Sequence, residues 1–411
     1  MHDRVKRPLF TVVIPTRNRP EYLLDAVAST CKQTFDDWEI VLSDNSDPEI
    51  AAENQIAIEA IKDARIRYVR PPSFLPMADH WEWAFGQTRG QYVGVLTDRM
   101  ALRLYALERL ASTIRRRRPT AICYQGQNAQ DLPRYRSIRT NRHSGTEREI
   151  SSTSKLQEFS RGEMKKDSPR GLNSFIRADV IDGIRQKRGK LFGGLAPDYF
   201  LTFVLMDHVE TYVSLELPLL VVQGEHLSNG KAISTGNSNA ATTEFLSLVQ
   251  REQSEFLKFG PIPGDTSLLP NWILREYVAV ASESTTGKFA PILPESFYKE
   301  TVKYAVNLAN SGNLSSAARK TLDAYAREHG LSTLDIPSNS ERRVSEDAIS
   351  GGAAILTVRR WYEALMLRLR LKRTVSGKDL PSVLARDCDV SRHQVIRMKK
   401  SDPRVTAGAT T

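Results

Sequence analysis

The sequence is poor in cysteine and has no long apolar run. It contains three cysteines in 411 residues, far apart and without the close pairs that bind zinc. An odd number of separated thiols is typical of a reducing compartment. No stretch approaches the roughly 20 apolar residues that a membrane helix needs. The apolar run that ends at Pro15 is also too short for a signal-peptide core. We therefore expect a cytoplasmic protein, and peripheral contact with the inner face of a membrane stays open.

Two phosphate-binding signatures are also missing. The first apolar run is not followed by a Gly-x-Gly-x-x-Gly pattern, which argues against an enzyme that binds a dinucleotide. The chain has no Gly-x-x-x-x-Gly-Lys-Ser/Thr loop, which argues against a nucleoside triphosphatase. With 40% apolar residues, the chain is nevertheless long enough for one full core and a second, smaller one. Two domains are therefore expected.

Positive charge is concentrated near the end of the sequence. Residues 351–411 hold 13 of the 58 Lys and Arg and 5 of the 48 Asp and Glu, so they carry +8 of the net charge of +10. Apolar residues recur at helical spacing in 355–373 among arginines, which predicts a basic amphipathic helix. Such a helix either lies in an anionic membrane surface or packs on the protein with its arginines in water. A helix-turn-helix that binds nucleic acid at 381–400 is the least favoured hypothesis, because no glycine marks the turn.

The first hundred residues alternate apolar strands with amphipathic helices. Strands are predicted at 9–15, 38–42, 66–69 and 92–96, and helices at 20–33, 49–63 and 76–87. Such alternation is typical of right-handed βαβ units, and β-branched runs are typical of strands buried on both faces of a parallel sheet. The pattern predicts an α/β fold with a doubly wound, mostly parallel, Rossmann-like sheet.

After residue 100 the pattern is less regular. Residues 125–170, rich in Arg, Ser, Thr and Gly, are predicted to form a long mobile segment near the active site. The sequence then predicts a strand at 172–177, a glycine-rich turn that enters a helix within 193–206, and a strand at 217–222. Beyond about residue 236, helices alone are predicted, at 242–259, 272–281, 295–309 and 315–328. We predict an α/β domain at 1–235, an all-α region at 236–337, a linker at 338–352 and a basic helix and tail at 353–411.

Polar residues cluster where three of the predicted strands end, in 16–19, 44–47 and 97–99. The carboxyl ends of parallel strands lie at one edge of the sheet, and ligands of such sheets bind beyond that edge. We therefore predict that the three clusters converge on a single ligand site.

Two stretches of the sequence resemble a known family. TVVIPTRNRPEYLLDAVASTCKQTFDDWEIVLSDNSD, which begins at Thr11, resembles the opening of family 2 glycosyltransferases, enzymes of the GT-A fold. The similarity continues through GQYVGVLTDRM, where that family carries its Asp-x-Asp motif, and extends more weakly to Ser228. The resemblance implies that 1–235 is a GT-A glycosyltransferase domain.

The resemblance also implies a reaction. Such an enzyme moves a sugar, with inversion, from a UDP-, GDP- or dTDP-sugar to a hydroxyl of a glycan or lipid-linked acceptor. Synthesis of a surface polysaccharide or glycoconjugate is the implied setting. The main alternative is a catalytically silent member that binds nucleotide sugar or glycan without transfer, because the acidic motif is depleted here. Binding of nucleic acid by the basic tail is the third hypothesis.

Several residues at the strand ends match positions that hold the donor in this family. They are Pro15, Thr16, Asn18, Asp44, Thr97, Asp98 and Arg99. Asp44 matches the carboxylate that contacts the nucleobase. An Asx turn is the alternative for Asp44 and the favoured interpretation for Asp47.

The motif at 97–99 departs from the family pattern. Related enzymes have two or three acidic residues here, and the last one holds a Mn²⁺ or Mg²⁺ ion that neutralises the diphosphate. This chain keeps Asp98 alone, followed by Arg99. A single carboxylate beside a guanidinium is a poor site for a hard dication, whereas arginine pairs well with phosphate. Two hypotheses stay open: Arg99 replaces the metal, or Asp98 and His226 still bind one.

Asp198 matches the position of the catalytic base in this family. It follows Pro197 at the start of a predicted helix, where related enzymes have an acidic pair. One carboxylate is enough to accept the proton of an acceptor hydroxyl. The competing interpretation is an ordinary acidic residue that is favoured at a helix N-terminus by the helix dipole.

Overall fold

The chain divides into two compact units. The computed structural model describes residues 7–131, 135–140, 143–164, 167–223, 232, 240–252, 254–310, 314–336 and 394–399. The first unit comprises Met1–Leu156, Lys165–Gly224 and Val375–Thr411, and the second comprises Gln157–Met164 and Glu225–Thr374. The domain boundaries predicted at 235, 337 and 352 stay predictions.

Strands and helices alternate through most of the first unit. Its strands are β1 (Phe10–Thr16), β2 (Trp38–Asp44), β3 (Ile66–Val69), β4 (Tyr92–Val95), β5 (Met100–Leu102), β6 (Ala121–Asp131), β7 (Tyr135–Thr140), β8 (Glu147–Ser151), β9 (Ser174–Arg177), β10 (Thr211–Val222) and β11 (Gln394–Lys399). Its helices are α1 (Pro20–Cys31), α2 (Pro48–Glu59), α3 (Met77–Phe85), α4 (Ala106–Arg117), α5 (Ser152–Ser160), α6 (Ala178–Arg188) and α7 (Pro197–His208), with α5 extending into the second unit.

The sheet is mixed and mostly parallel at its centre. The strand order is β11-β7-β6-β9-β4-β1-β2-β3, and β10 pairs with β5, β6 and β8. Strands β4, β1, β2 and β3 are parallel neighbours, and β6 and β10 are also parallel to each other. Strand β9 runs antiparallel to both β4 and β6. The predicted α/β class with a doubly wound, mostly parallel sheet is confirmed.

The central strands form because their residues are apolar on both faces. Every residue of β1 and β2 is buried, as expected for strands covered by helices on both sides. The Phe10 ring meets the rings of Phe35 and Phe175 edge to face, at centroid distances of 5.7 and 5.0 Å. Helix α1 begins at Pro20 and buries Leu23 against this core. Because the apolar runs are anchored in this core, the ends of the strands are fixed relative to one another. The polar residues that follow the strands are held in place with them.

The predicted mobile segment at 125–170 is wrong for its described residues. That range contains the second half of β6, all of β7 and β8, and helix α5. Strand β10 pairs with β6 on one side and β8 on the other, and these pairings are made with residues distant in sequence. The composition of a segment does not reveal which distant strands it will pair with. Such pairing can stabilise a strand even where its own residues have weak strand propensity.

Strand β10 is also longer than predicted. It begins at Thr211, whereas the sequence pattern predicted only 217–222. Its register with β6 shifts between Leu215 and Leu220 around Pro218. A proline and a bulge interrupt the apolar pattern without ending the strand.

The described part of the second unit is helical. It contains α8 (Ala240–Glu252), α9 (Leu269–Glu283), α10 (Pro294–Asn310) and α11 (Ser316–Glu328), with a 3₁₀ turn at Ser254–Phe259. Ser315 caps the N-terminus of helix α11, because its hydroxyl accepts the Ala318 N–H at 3.1 Å. The rings of Phe297 and Tyr325 join α10 to α11, with centroids 5.3 Å apart. The predicted all-α region is confirmed.

The predictions for the tail lie mostly outside the described residues. This applies to the linker at 338–352 and the basic helix at 355–373. Within the predicted helix-turn-helix, residues 394–399 form β11, which runs antiparallel to β7. The helix predicted for those six residues is therefore wrong. No helix among the described residues has the length and apolar character needed to cross a membrane.

Candidate active site

The predicted polar clusters at the ends of β1, β2 and β4 meet at one edge of the sheet. The Thr16 carbonyl accepts the Asn45 N–H at 3.0 Å, which joins the loop after β1 to the loop after β2. The Thr16 hydroxyl donates to Oδ2 of Asp98, also at 3.0 Å, although the two residues are 82 positions apart. The parallel register of β1 with both neighbours brings these ends together.

Asp98 forms the centre of this edge. Its side chain is 3% exposed, and Arg19 Nη1 lies 3.6 Å from its Oδ1 atom. Burial raises the pKa of Asp98, while the nearby charge of Arg19 and the Thr16 hydrogen bond act in the opposite direction. The Arg19 side chain is 23% exposed, so this ion pair joins a buried carboxylate to a partly exposed arginine.

Asp44 is fully buried and already bound within the protein. Its Oδ1 accepts the Ser46 N–H at 2.8 Å, which is an Asx turn. Its Oδ2 accepts the Asn54 amide at 2.9 Å and the Tyr68 hydroxyl at 2.8 Å. In this conformation Asp44 shapes the loop, and because its side chain is fully buried, contact with a nucleobase would require the groups that cover it to move. The predicted base contact stays a prediction.

Asn18 locks the loop after β1 to the loop after β2. Its backbone has a φ of 53°, a left-handed conformation that asparagine tolerates better than most residues. The Asn18 amide donates to Asp47 Oδ2 at 2.9 Å, and the Asp47 N–H donates back to Asn18 Oδ1 at 3.0 Å. The Asn18 N–H donates to the Ser46 hydroxyl at 2.8 Å. The geometry of the predicted nucleoside loop is thus fixed by side chains from both strand ends.

His80 supports the same loop from helix α3. Its Nε2 lies 2.7 Å from the Ser43 hydroxyl, directly before Asp44. The ring is 4% exposed, and burial lowers the pKa of His80 to about 4. The imidazole is therefore neutral at pH 7.

Arg99 is held at the end of β10. Its Nη1 donates to the Gln223 carbonyl at 3.2 Å, and its own carbonyl accepts the Gln223 N–H at 2.9 Å. Thr97 is partly buried beside it, and Pro15 is buried within β1. Contacts of Thr97 and Arg99 with a diphosphate stay predictions.

The described residues at this edge do not fit a divalent-cation site. One Asp98 oxygen accepts a hydroxyl and the other faces a guanidinium, whereas a hard dication needs several oxygen ligands of its own. The described parts of the chain contain no group of three or more His, Cys, Asp or Glu side chains placed to hold a metal ion. The other predicted metal ligand, His226, lies outside the described residues.

Asp198 lies in the first turn of α7, where its backbone packs closely against Gly171. A methyl group on Gly171 would be 3.3 Å from the Asp198 Cα and 3.5 Å from the Trp81 ring. Gly171 begins the turn that leads into β9, and Gly94 of β4 pairs with Phe175 of β9. Because β9 is antiparallel to β4, its first residues lie at the carboxyl end of β4. Asp198 therefore packs at the same edge as Asp98.

The charge of Asp198 is modulated by its surroundings. Burial raises the pKa of Asp198, and the Arg170 guanidinium opposes this shift. Arg170 also donates to the Tyr199 hydroxyl at 3.2 Å, which ties it to the first turn of α7. A raised pKa makes a carboxylate a better proton acceptor, while the positive neighbour favours its ionised form.

Glu82 fixes the turn that precedes α7. Its Oε2 accepts the N–H groups of Leu191 and Phe192 at 2.7 and 3.0 Å, and its Oε1 accepts Arg185 Nε at 2.8 Å. These charge-assisted bonds hold the start of the glycine-rich turn against α3. Glu82 thereby fixes the start of the segment that leads into α7.

Four residues that build this edge were not predicted as site residues from the sequence. They are Arg19, His80, Glu82 and Arg170. Only Arg19 had a sequence signal, because it closes the polar cluster after the first strand. The other three lie on α3 or before β9, and their roles depend on partners distant in sequence.

Comparison with known proteins identifies relatives of the first unit. Residues 11–179 match the family described as Glycosyl transferase family 2, which confirms the resemblance predicted from the sequence. The O-antigen biosynthesis protein RfbC of Myxococcus xanthus is 29% identical over 135 residues, which is 32% of this chain. The match covers 10% of RfbC, so this chain spans only a small part of that relative's length.

Solved structures of S. aureus TarS are also similar. One covers 77% of this chain and 54% of the TarS chain, with 13% identity and a TM-score of 0.43. TarS 1-349 in complex with UDP-GlcNAc covers 80% of this chain and 95% of that chain, with 14% identity and a TM-score of 0.44.

Proposed function

We propose, from the match of residues 11–179 to glycosyl transferase family 2, that this protein moves a sugar from a nucleotide-sugar donor to an acceptor hydroxyl. The observation that carries the proposal is that the matching motifs end at one edge of the sheet, where Thr16 binds the buried Asp98 carboxylate. Ligands of parallel sheets bind beyond such an edge. The relative named for O-antigen biosynthesis supports a role in making a surface polysaccharide or glycoconjugate.

The donor would lie across the loops that follow β1, β2 and β4. The nucleoside is assigned to the loops of Thr16, Asn18 and Asp44, which are joined by hydrogen bonds into one rigid surface. The diphosphate is assigned to the segment that contains Asp98, since this segment lies where the family resemblance places the Asp-x-Asp motif, of which this chain keeps one carboxylate.

Asp198 is proposed as the general base. It would accept the proton of the acceptor hydroxyl as that oxygen bonds to the anomeric carbon, while the bond from that carbon to the diphosphate breaks. The nucleoside diphosphate leaves from the opposite face, so the anomeric centre is inverted. Burial, which raises the pKa of Asp198, makes it a better proton acceptor than an exposed carboxylate.

A screen with nucleotide sugars tests the donor. UDP-, GDP-, dTDP- and CMP-sugars are added to the purified chain, and thermal stability and hydrolysis of the donor are measured. One class of base is expected to stabilise the protein, by about 2.7 kcal/mol at a concentration 100-fold above its Kd. The absence of stabilisation by every donor, for a folded protein, would contradict the proposal. Binding with no hydrolysis or transfer would favour the catalytically silent alternative.

Asp198→Asn tests the base. We expect this variant to bind the donor like the wild type and to lose roughly 10²- to 10⁴-fold in turnover. Asp182→Asn, an exposed aspartate on α6, is the matched control and should leave turnover unchanged. Equal turnover in Asp198→Asn and wild type would remove Asp198 from the mechanism.

The acceptor is proposed to be a glycan or a lipid-linked saccharide, with peripheral membrane contact through 355–373. The support for membrane contact is the basic amphipathic pattern of that segment, which lies outside the described residues. Cosedimentation with vesicles that contain anionic lipid should be lost on deletion of 353–411. Equal cosedimentation with and without the tail would contradict membrane contact by this route.

A further inference from the structure

We infer that the Arg19 guanidinium, anchored on the buried Asp98 carboxylate, supplies the positive charge that binds the donor diphosphate, so that the donor binds without a divalent cation. The inference rests on the proposed function, because it names how the phosphates of that donor are held. It also departs from the family pattern, in which the last acidic residue of the motif holds a metal ion.

The environment of Asp98 is unfavourable for a dication. Arg19 lies 3.6 Å from Oδ1, and the charges of both Arg19 and Arg99 act on this carboxylate. The Thr16 hydroxyl donates to Oδ2, so that oxygen already accepts a hydrogen bond. A dication would have to displace these groups and approach two guanidinium groups whose charge repels it. The described side chains also contain no group of three or more His, Cys, Asp or Glu residues that is placed to hold it.

The same environment suits an anion. The buried Asp98 carboxylate lies 3.6 Å from the Arg19 guanidinium. The Arg19 side chain is 23% exposed and belongs to the loop that follows β1, at the edge where the strands end. Arginine presents several N–H donors in one plane, so it can bind a carboxylate and a phosphate together. Arg19 also directly precedes α1, and the partial positive charge of that helix end adds to its attraction for an anion.

Arg19 is better placed for this role than Arg99. The Arg99 side chain donates to the Gln223 carbonyl, and its backbone is paired with the same residue. These bonds hold Arg99 against the end of β10. Arg99 then contributes by its charge on Asp98, whereas Arg19 pairs with Asp98 directly and has the larger charge effect on it.

Calorimetric binding of the nucleotide sugar selected by the screen tests the inference. Binding is measured in excess EDTA and again in Mn²⁺, with the full chain. We expect affinities that agree within about twofold in the two conditions, and a loss of roughly 10- to 100-fold in Arg19→Gln, since hydrogen bonds between charged groups are lost. The matched control is Arg65→Gln, because Arg65 pairs with Asp63 at 2.8 Å at the opposite edge of the sheet. Its affinity should equal that of the wild type.

A second measurement follows Mn²⁺ itself by electron paramagnetic resonance. No bound Mn²⁺ is expected in the wild type, with or without donor. Donor binding that requires Mn²⁺, or Mn²⁺ held by the free protein, would overturn the inference and leave the proposed function intact. Unchanged affinity in Arg19→Gln would overturn the role of Arg19. If the folded protein binds no nucleotide sugar in either condition, the proposed function fails and the inference fails with it.

Discussion

Acidification should destabilise the first unit through His80. This histidine is buried on α3, and its Nε2 lies 2.7 Å from the Ser43 hydroxyl at the end of β2. Burial lowers the pKa of His80 from 6.5 to about 4, although Asp44 and Ser43 oppose the shift. Protonation would therefore place a charge in an apolar environment and disturb the loop that contains Asp44.

The size of the effect follows from the two pKa values. The unfolded chain binds a proton at His80 below pH 6.5, whereas the folded chain resists it until about pH 4. The stability that His80 contributes is therefore complete above pH 6.5 and is lost as the pH falls through this window. Between pH 7.5 and pH 5, this one group should lower the free energy of unfolding by about 2 kcal/mol.

Urea unfolding at the two pH values measures this loss. In His80→Gln, the glutamine amide can contact Ser43 but does not titrate, so this variant carries the pH dependence of every other group. The wild type should lose about 2 kcal/mol more than His80→Gln on acidification. Hydrogen exchange in residues 38–47 should report the same difference locally. His329→Gln, in the second unit and exposed, controls for the loss of an imidazole. Equal pH dependence in wild type and His80→Gln would refute the reasoning.

Three further predictions concern the proposed base, the turn before α7 and the packing of the central strands. Arg170→Gln removes the charge that opposes the raised pKa of Asp198, so the acidic limb of the pH profile of kcat/KM should move to higher pH; a limb that stays in place would contradict proton transfer to Asp198. Glu82→Gln weakens the bonds to the turn before α7 and should lower stability by about 1–3 kcal/mol in urea unfolding, and the exposed Glu53→Gln serves as its control. Gly90→Ala places a methyl group 2.5 Å from the Thr11 nitrogen and should cost about 1–3 kcal/mol, so a wild-type melting temperature would contradict this packing.

Local sequence was sufficient for the central sheet. Strand β3 was predicted with its observed bounds, and β1 and β2 were displaced by two residues at most. These strands are buried on both faces, so their apolar character is continuous and leaves little ambiguity. The polar loops that follow such strands meet at the carboxyl edge of the sheet. It was therefore predictable that Thr16 and Asp98 lie close together, although their hydrogen bond was not.

Pairings between distant segments were not predictable. Residues 125–170 are polar, and their strands exist because β10 and β6 provide partners. The side-chain partners within the site were equally hidden. Nothing in the sequence near Asp44 indicates that its Oδ2 atom accepts hydrogen bonds from both Asn54 and Tyr68.

Local apolar runs and short motifs were enough to predict the fold class, the polar clusters at the ends of the central strands and the resemblance to a family. The pairing of Asp98 with Arg19, the contact of Arg99 with Gln223 and the bonds of Glu82 to the turn before α7 became known only from the folded structure. A charged side chain acquires its function from the few groups within about 4 Å. In a folded chain those groups come from segments far apart in sequence, so their identity is decided by packing.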